Sequence, residues 1–560
     1  MERWRTALGV ALRDEPADLL LENARIVNVF TCEVQRGNVA ISGGRIVGIG
    51  DYSESREAID LDGAFLAPSF IDGHIHTESS LLWLPEFAQA VVPRGTGAVV
   101  TDPHEIANVS GLAGIEAMIE ASRGLPLGVL FTVPSCVPAS PAETAGAEMT
   151  TDAIRTALAF DETAGLGEMM NFPGVLAGNA DIFDRLALAS GRRRDGHAPG
   201  LRGRQLDAYA LSGMTSDHES TALEEGREKL ERGFMLMLRE GSTEHNMLEL
   251  LPLVNDITFA RCCFASDDRD CAMLLHQGHM DETLRRAVAA GLDPLRAIRM
   301  ATFNTADYWR LDRVGAIAPG YYANCVVLSD LESFGVDLVL WEGQVVARAG
   351  KPQFQTQMSI PEVLAKTVHV APLSAADIAL PAEHARRAVG AIDGQIVTRL
   401  LPVEPKLESG VAVPDLDRDL LKLVCVERHR ATGNVGVGYI NGFGLLRGAL
   451  ASSIAHDAHN IVAVGVTDAD ILAAIQAVVE MDGGLALAVN GQVEASLPLP
   501  VAGILSDQPL EATAAAYEEI EARAKALGSS LTSPFGLLAF MALSVIPEAR
   551  VTDQGFLELV

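Results

Sequence analysis

Apolar and polar positions alternate differently in three parts of the chain. Between residues 68 and 312, eight short apolar runs each end in polar residues, and helical patterns follow them. Strand and helix units that alternate in this way favour a parallel sheet, and eight of them predict an α/β fold of the (β/α)₈ barrel type. In such barrels the chemistry lies at the carboxyl ends of the strands, where the polar residues of this sequence fall.

The two stretches that flank the predicted barrel are rich in short strands. Alternating apolar runs separated by glycine pairs occupy residues 18–66 and return at residues 318–349. Together they predict one small β-sandwich built from both flanks, followed by a separate α/β domain. The predicted boundaries are 1–67 and 313–360 for the two parts of the sandwich, 68–312 for the barrel and 361–560 for the C-terminal domain.

Composition and charge narrow the class of protein. Proline, glycine or charge interrupts every apolar run before it reaches the roughly 18 residues that a membrane helix needs. The net charge of −31 disfavours contact with nucleic-acid phosphates. Seven cysteines without a CxxC pair, and an N-terminus without a signal-peptide pattern, predict a cytoplasmic protein with reduced thiols.

The first chemical motif is His74-Ile75-His76, at the end of the first barrel run. Residues two apart on a strand point to the same side, so both imidazoles can face one metal ion. Asp72 lies on that side and is expected to support the ligands through a hydrogen bond. Taken alone, an HxH pair is weak evidence, because a single histidine is more often a surface or core residue than a ligand.

Polar groups at the ends of later runs strengthen this interpretation. One βα unit takes about 20 to 40 residues, and at that spacing the groups fall at the ends of strands four, five, six and eight. Four imidazoles and two carboxylates that converge on one rim suit two divalent cations bridged by Glu168. The predicted metal ligands are His74, His76, Glu168, His197, His218 and Asp267.

Several of these segments resemble the adenine deaminase family of the amidohydrolase superfamily. They are PSFIDGHIHTESS, TDPHEIANV, GEMMNFPGV, DGHAPG, DHES, SDDR and, near the C-terminus, GALASSIAHDAHNIVAVG. The resemblance implies a barrel with a composite sandwich, a homodimer, and a site with two divalent ions. Manganese is the ion most expected there, with iron or zinc as alternatives. Many amidohydrolases bridge their metals through a carboxylated lysine, whereas this chain has Glu168 at that place, as the family does.

The resemblance also implies hydrolysis of adenine to hypoxanthine and ammonia. We predict that a metal-activated hydroxide attacks C6 and that Asp267 is the general base. Because attack at C6 places electron density on N1, an acid there would stabilise the intermediate, and Glu105 is the candidate. Asp102 is predicted to join the catalytic group, as a partner of the metal cluster or an anchor behind it. His104 and Asp268 are predicted substrate contacts, although ordinary helix capping is an alternative explanation for His104 and Glu105.

The sequence is also compatible with two other functions, and it leaves the role of one motif undecided. A related barrel enzyme could act on a cyclic amide or an N-acyl substrate, but such sites typically use a bridging lysine or a basic phosphate-binding loop. A non-enzymatic binding module is expected to lack a ligand or the base, and none is missing here. The HxxH pair His456 and His459 either binds metal, reaches the barrel mouth, or caps a turn.

Overall fold

The computed structural model describes residues 2–13, 15–242, 244–408 and 410–559. It contains the eight predicted barrel strands, numbered here in chain order. They are β1 Phe70–His76, β2 Thr96–Thr101, β3 Gly128–Val133, β4 Thr163–Met169, β5 Arg193–Gly196, β6 Ser216–Asp217, β7 Met235–Arg239 and β8 Cys262–Ala265. Helices separate these strands, as the periodicity predicts. The barrel helices are Leu84–Val91, His104–Ser122, Thr151–Ala157, Phe172–Leu176, Ala180–Leu188, Gly203–Leu211, Leu223–Glu231, Met247–Leu250, Cys271–His276, Met280–Ala289, Pro294–Arg299 and Thr305–Trp309.

All pairings within the barrel are parallel. Strands β1 to β5 form one ladder in chain order, and β6 to β8 form a second. Residues Asp267–Asp268, just beyond β8, pair with Ile75 and His76 of β1 and join the two ladders. Between β5 and β6, the Thr215 amide donates to the Arg194 carbonyl at 3.4 Å. The carboxyl ends of the eight strands therefore surround one mouth.

The two β-rich flanks combine as predicted, and hydrogen bonds make them a single nine-stranded sheet. Buried side chains from both flanks, among them Leu21, Ile41, Leu66, Val327 and Leu340, pack into one hydrophobic cluster. The sheet strands are Ala17–Asn28, Glu33–Ser42, Arg45–Gly50, Ser55–Asp60, Phe65–Pro68, Cys325–Leu328, Val336–Trp341, Gln344–Arg348 and Lys351–Pro352, and helix Glu2–Leu12 precedes them.

The C-terminal part is built on an eight-stranded sheet that packs against helix Asp468–Glu480. The helices here are Asp468–Glu480, Leu510–Ala526 and Pro534–Ala539. The strands are Leu380–Pro381, Arg387–Gly390, Arg399–Pro402, Lys406–Glu408, Val411–Val413, Leu420–Val426, Val435–Asn441, Ala449–Ser452, Ile461–Gly465, Gly484–Val489, Gln492–Pro498, Glu548–Thr552 and Gly555–Leu559. Across residues 2–559, apart from 14, 243 and 409, no helix is both long and apolar enough to cross a membrane.

Hydrogen bonds tie the C-terminal part to the long loop that follows β3. Thr144 Oγ1 donates to Asp553 at 2.7 Å, and Ser140 Oγ donates to Ser544 Oγ at 2.7 Å. The side chain of Asn460 donates to the carbonyl of Thr144 at 3.0 Å. Because this loop leaves the carboxyl end of β3, the contacts hold the C-terminal part against the barrel mouth.

Candidate metal centre

Three ligand atoms from β1 and from the end of β8 meet at the barrel mouth. Nε2 of His74 lies 3.2 Å from Nε2 of His76. Oδ1 of Asp267 lies 3.4 Å from the first nitrogen and 3.2 Å from the second. Ligands that lie about 2.0–2.2 Å from a divalent ion stand roughly 3.0–3.5 Å from one another. These three buried atoms therefore have the spacing of ligands to one ion.

Glu168, at the end of β4, presents its two carboxylate oxygens to different imidazoles. Oε1 lies 3.2 Å from Nε2 of His76, on the side of the first group. Oε2 lies 2.5 Å from Nδ1 of His197 and 3.3 Å from Nε2 of His218. A carboxylate placed between two groups of imidazoles is suited to bridge two cations.

The hydrogen bonds at this mouth leave ring nitrogens that a cation would satisfy. Both ring nitrogens of His218 are buried, and neither has a hydrogen-bond partner within the described part of the chain. Buried polar atoms are almost always paired, so an unpaired pair of nitrogens requires an explanation. A metal ion coordinated by Nε2, beside Glu168 and His197, would explain why this nitrogen has no hydrogen-bond partner in the described chain. The residues present therefore fit two divalent cations.

Asp267 reaches His74 and His76 through a backbone conformation that cannot be predicted from the sequence. On β8, Cys263 and Ala265 pack into a buried cluster, and Asp267 lies two residues beyond the end of this strand. Its φ of 58° lies in the left-handed region, which residues other than glycine rarely adopt. Strain of this kind gathers at functional sites, where the surrounding structure maintains it.

A glycine and an aspartate fix the position of the bridging strand. A Cβ on Gly167 would lie 2.1 Å from Oδ2 of Asp102, and that oxygen accepts the backbone N–H of Glu168 at 2.8 Å. The Asp102 side chain therefore holds the backbone of Glu168 in place. Its other oxygen, Oδ1, is buried without a hydrogen-bond partner among the described residues.

Hydrogen bonds also set the orientation of the two β1 histidines. Nδ1 of His74 is 2.7 Å from Oδ2 of Asp195, whose Oδ1 accepts from Ser216 Oγ at 2.5 Å. Nδ1 of His76 lies 2.9 Å from the carbonyl of Asp102. With Nδ1 occupied, both rings direct Nε2 to the common site, as outer partners of metal ligands generally do.

Arg239, at the end of β7, holds the second oxygen of Asp267. Its Nη1 donates to Asp267 Oδ2 at 2.7 Å, and the same guanidinium contacts Glu219. Burial disfavours an ionised Asp267, but Arg239 and the neighbouring imidazoles lower its pKa well below the usual range. Asp267 is therefore a carboxylate at neutral pH, with one oxygen toward the histidines and one toward Arg239.

The surrounding carboxylates raise the pKa values of two histidines of the site, His74 and His197. Burial disfavours a charged imidazole, yet Asp195 and Asp267 raise the pKa of His74 to about 10. Against the same penalty, Glu219 and Glu168 raise the pKa of His197 to about 9. Both shifts have one origin, which is an excess of buried carboxylate charge that attracts positive charge.

Glu105 lies in the first turn of helix His104–Ser122 and meets the C-terminal part of the chain. Its Oε1 is 2.6 Å from Nδ1 of His456, and its Oε2 contacts Nε2 of His459. The HxxH pair therefore reaches across to the barrel mouth. Burial opposes ionisation of Glu105, but these two imidazoles and His104 lower its pKa well below the usual range. The Glu105 side chain is therefore an ionised carboxylate held between two imidazoles.

His104 and Asp268 also lie at the mouth. Nδ1 of His104 is 3.5 Å from Oε1 of Glu168, and its ring centroid is 4.5 Å from that of His76. Oδ1 of Asp268 accepts a hydrogen bond from Ser79. Both side chains, like Glu105, line the cavity at the metal ligands. The remaining predicted site residues, His74, His218 and Asp102, lie in the adjoining ligand groups, so the structure brings all of them together.

Two adjoining cavities open at this mouth. One, of about 70 Å³, is lined by the metal-ligand group and by Phe540, Leu543 and Ile546 of the C-terminal part. The other, of about 120 Å³, is mainly apolar, with Ile454 and Leu485 among its walls. Both cavities share four lining residues, which are Glu105, Asp268, His456 and Phe540.

Sequence reasoning missed three polar residues of this site. Asp195 precedes the predicted ligand His197 by two positions, Glu219 directly follows His218, and Arg239 ends the seventh apolar run. The period of two that identifies His74 and His76 could have identified Asp195 from His197. Nothing in the sequence indicates that Arg239 pairs with Asp267.

The barrel, with Glu168 placed between two groups of imidazoles at its mouth, indicates the class of protein, which is a metal-dependent hydrolase of the amidohydrolase type. Residues 65–346 match the model of the amidohydrolase family, and residues 395–560 match that of the adenine deaminase C-terminal domain. The adenine deaminase of Dehalococcoides mccartyi is 50% identical over 99% of this chain and 97% of its own. Adenine deaminase 2 of Carboxydothermus hydrogenoformans is 45% identical over 100% and 98%. The chain therefore belongs to the adenine deaminase family.

Among solved structures, the dihydropyrimidinase of Brevibacillus agri is similar over 60% of this chain and 96% of its own. Its TM-score is 0.46 and its sequence identity 15%.

Replacing Asp195 tests whether this carboxylate supports the metal ligand His74. We expect Asp195→Asn to weaken metal affinity or activity by about 10- to 100-fold, because the imidazole loses its charged partner. Metal affinity is measured by titration of metal-free protein. The matched control is Asp181→Asn, a carboxylate whose side chain is 65% exposed. Unchanged affinity in Asp195→Asn would contradict the assignment.

Proposed function

We propose that this protein hydrolyses adenine to hypoxanthine and ammonia. The observation that carries the proposal is the near full-length similarity to adenine deaminases, which includes their C-terminal domain. The six predicted ligands, gathered at one barrel mouth around Glu168, support a hydrolytic centre with two metals. Manganese as the native ion, with iron or zinc as alternatives, remains a prediction, as do the homodimer and the cytoplasmic location.

His74, His76 and Asp267 would hold one cation, and His197 and His218 the other, with Glu168 between them. When bound, the ions supply the Lewis acidity that makes water nucleophilic near neutral pH. We assign the general base to Asp267, whose carboxylate is ionised and held by Arg239. It takes the proton of the attacking water and passes it to the amino group, so that ammonia can leave C6.

The substrate would lie in the two adjoining cavities. Their apolar walls suit the faces of a flat aromatic base, and the shared polar residues suit its nitrogens. We assign His104 and Asp268 as substrate contacts, because both line the space in front of the metal ligands. Asp102 acts through Glu168, whose backbone it holds, and is a positioning residue.

Incubation of metal-loaded protein with adenine tests the proposed reaction. We expect loss of adenine absorbance together with release of one ammonia per adenine. Chelation should abolish this activity, and added Mn²⁺ should restore it, because the cations make water nucleophilic. Adenosine and a hydantoin are assayed in parallel. Turnover of the hydantoin without turnover of adenine would contradict adenine deamination and favour a cyclic-amide substrate.

Replacing Asp267 separates its role as base from its role as ligand. We expect Asp267→Asn to retain most of the bound metal, because the amide oxygen can still coordinate. Its kcat should fall about a hundred-fold or more, because an amide cannot accept the proton. Metal content and kcat are measured on the same preparation. Near-normal kcat in this variant would exclude Asp267 as the base.

A further inference from the structure

One polar cluster has no role in the metal-centred chemistry described so far. It consists of Glu105 from the barrel and of His456 and His459 from the C-terminal part. His456 Nδ1 lies 2.6 Å from Glu105 Oε1, and His459 Nε2 contacts Oε2. A carboxylate at the mouth is thus held by two imidazoles that are more than three hundred residues away in the sequence.

Within this cluster, His459 has both ring nitrogens engaged. Nε2 contacts Glu105, and Nδ1 accepts the backbone N–H of Ala455 at 3.4 Å. Burial lowers the pKa of His459, and the positive charges of His456 and Arg428 lower it further. Glu105 raises this pKa but does not outweigh them. A neutral ring that donates from Nε2 and accepts at Nδ1 satisfies both contacts. His459 therefore positions Glu105 and has no ring nitrogen left for a ligand.

His456 differs, because only one of its ring nitrogens is engaged. Nδ1 contacts Glu105, whereas Nε2 makes no hydrogen bond to any residue that the structure describes. The ring stacks on Phe540, with 4.7 Å between centroids and 15° between planes, and it lines both cavities. Its side chain is only partly buried, with 12% exposure. Nε2 is therefore the atom of this cluster that a substrate can reach.

We propose that His456 is a catalytic residue, which donates a proton from Nε2 to N1 of the adenine ring while Glu105 positions it through Nδ1. This inference rests on the proposed function and transfers to His456 the donor role that the sequence analysis predicts for Glu105. It also gives the C-terminal domain a part in the chemistry, since that domain supplies the proton donor.

The charge of the surroundings supports a protonated His456. Burial opposes the imidazolium, but Glu105, at hydrogen-bond distance, raises the pKa of His456 to about 9. Asp268 and Asp457, which also face the ring, shift it in the same direction. The ring therefore carries a proton on both nitrogens at neutral pH, one for Glu105 and one for the substrate.

The proton balance of the reaction closes with this donor. As the water oxygen bonds to C6, the electrons of the C6–N1 double bond move to N1, which takes the proton of His456 Nε2. The amino group takes its proton through Asp267, the C6–N bond breaks, and ammonia leaves. Hypoxanthine keeps hydrogen on N1. The attacking water gives up two protons: Asp267 passes one to the amino group, and the other goes to solvent, which returns one proton to His456.

His456→Asn separates the two ring nitrogens. The asparagine amide can occupy the place of Nδ1 beside Glu105, but nothing replaces Nε2. We expect kcat for adenine to fall about a hundred-fold or more, because the proton donor is lost. Metal content should remain that of the unaltered protein. His456→Gln, which offers an amide N–H near Nε2 but no transferable proton, should lose kcat as well and serves as the second variant.

Inhibition by inert bases identifies the ring nitrogen that His456 contacts. Purine and 1-deazapurine both lack the leaving group, and they differ only at N1. The unaltered protein should bind purine roughly 10- to 100-fold more tightly, which corresponds to one hydrogen bond from a charged donor. In His456→Asn this preference should vanish. The penalties for 3-deazapurine and 7-deazapurine should be equal in both proteins.

Three results would overturn the role of His456. They are near-normal kcat in His456→Asn, a preference for purine over 1-deazapurine that the substitution leaves unchanged, and a loss of one metal ion in that variant. The last result would make Nδ1 a metal ligand in the cluster of Glu105, His456 and His459. If the unaltered protein does not deaminate adenine, the proposed function fails, whereas retained turnover in His456→Asn counts against His456 alone.

Discussion

The site depends on the cost of burying carboxylates without positive charge. Glu168, Asp267 and Asp195 lie in the interior, and burial of an unpaired charge costs several kcal/mol. Imidazoles surround each of them, but His218 has two ring nitrogens without hydrogen-bond partners in the described structure. Two cations at this point would compensate the carboxylates and coordinate the imidazole nitrogens that face the site. The hydrogen bond from Glu168 to Asp102, for which Gly167 leaves space, and the pairing of Arg239 with Asp267 maintain this arrangement.

Much of the fold follows from features that are local in sequence. The apolar runs with polar ends predict eight barrel strands, and the described part of the chain has eight. The same pattern predicts which end of each strand carries chemistry, because side chains such as His76 and Glu168 directly precede the loops. The sequence predicts that the two flanks combine into a small sandwich, and the structure shows that hydrogen bonds join them into one nine-stranded sheet.

The remaining parts of the site depend on contacts between distant segments. No spacing rule relates Glu105 to His456, because the docking of a second domain brings them together. The surroundings of Glu105 follow from that docking, and no local pattern in the sequence indicates them. The role of Arg239 could not be predicted for the same reason. In the sequence it is an arginine at the end of an apolar run, and only the structure shows that it pairs with Asp267.

Anomalous X-ray diffraction from crystals grown with Mn²⁺ tests the central claim most directly. We expect two peaks at the barrel mouth, one beside His74, His76 and Asp267 and one beside His197 and His218. Glu168 should lie between them with one oxygen toward each. No peak at this position, a single peak on one side of Glu168, or ions bound only elsewhere in the molecule would contradict it.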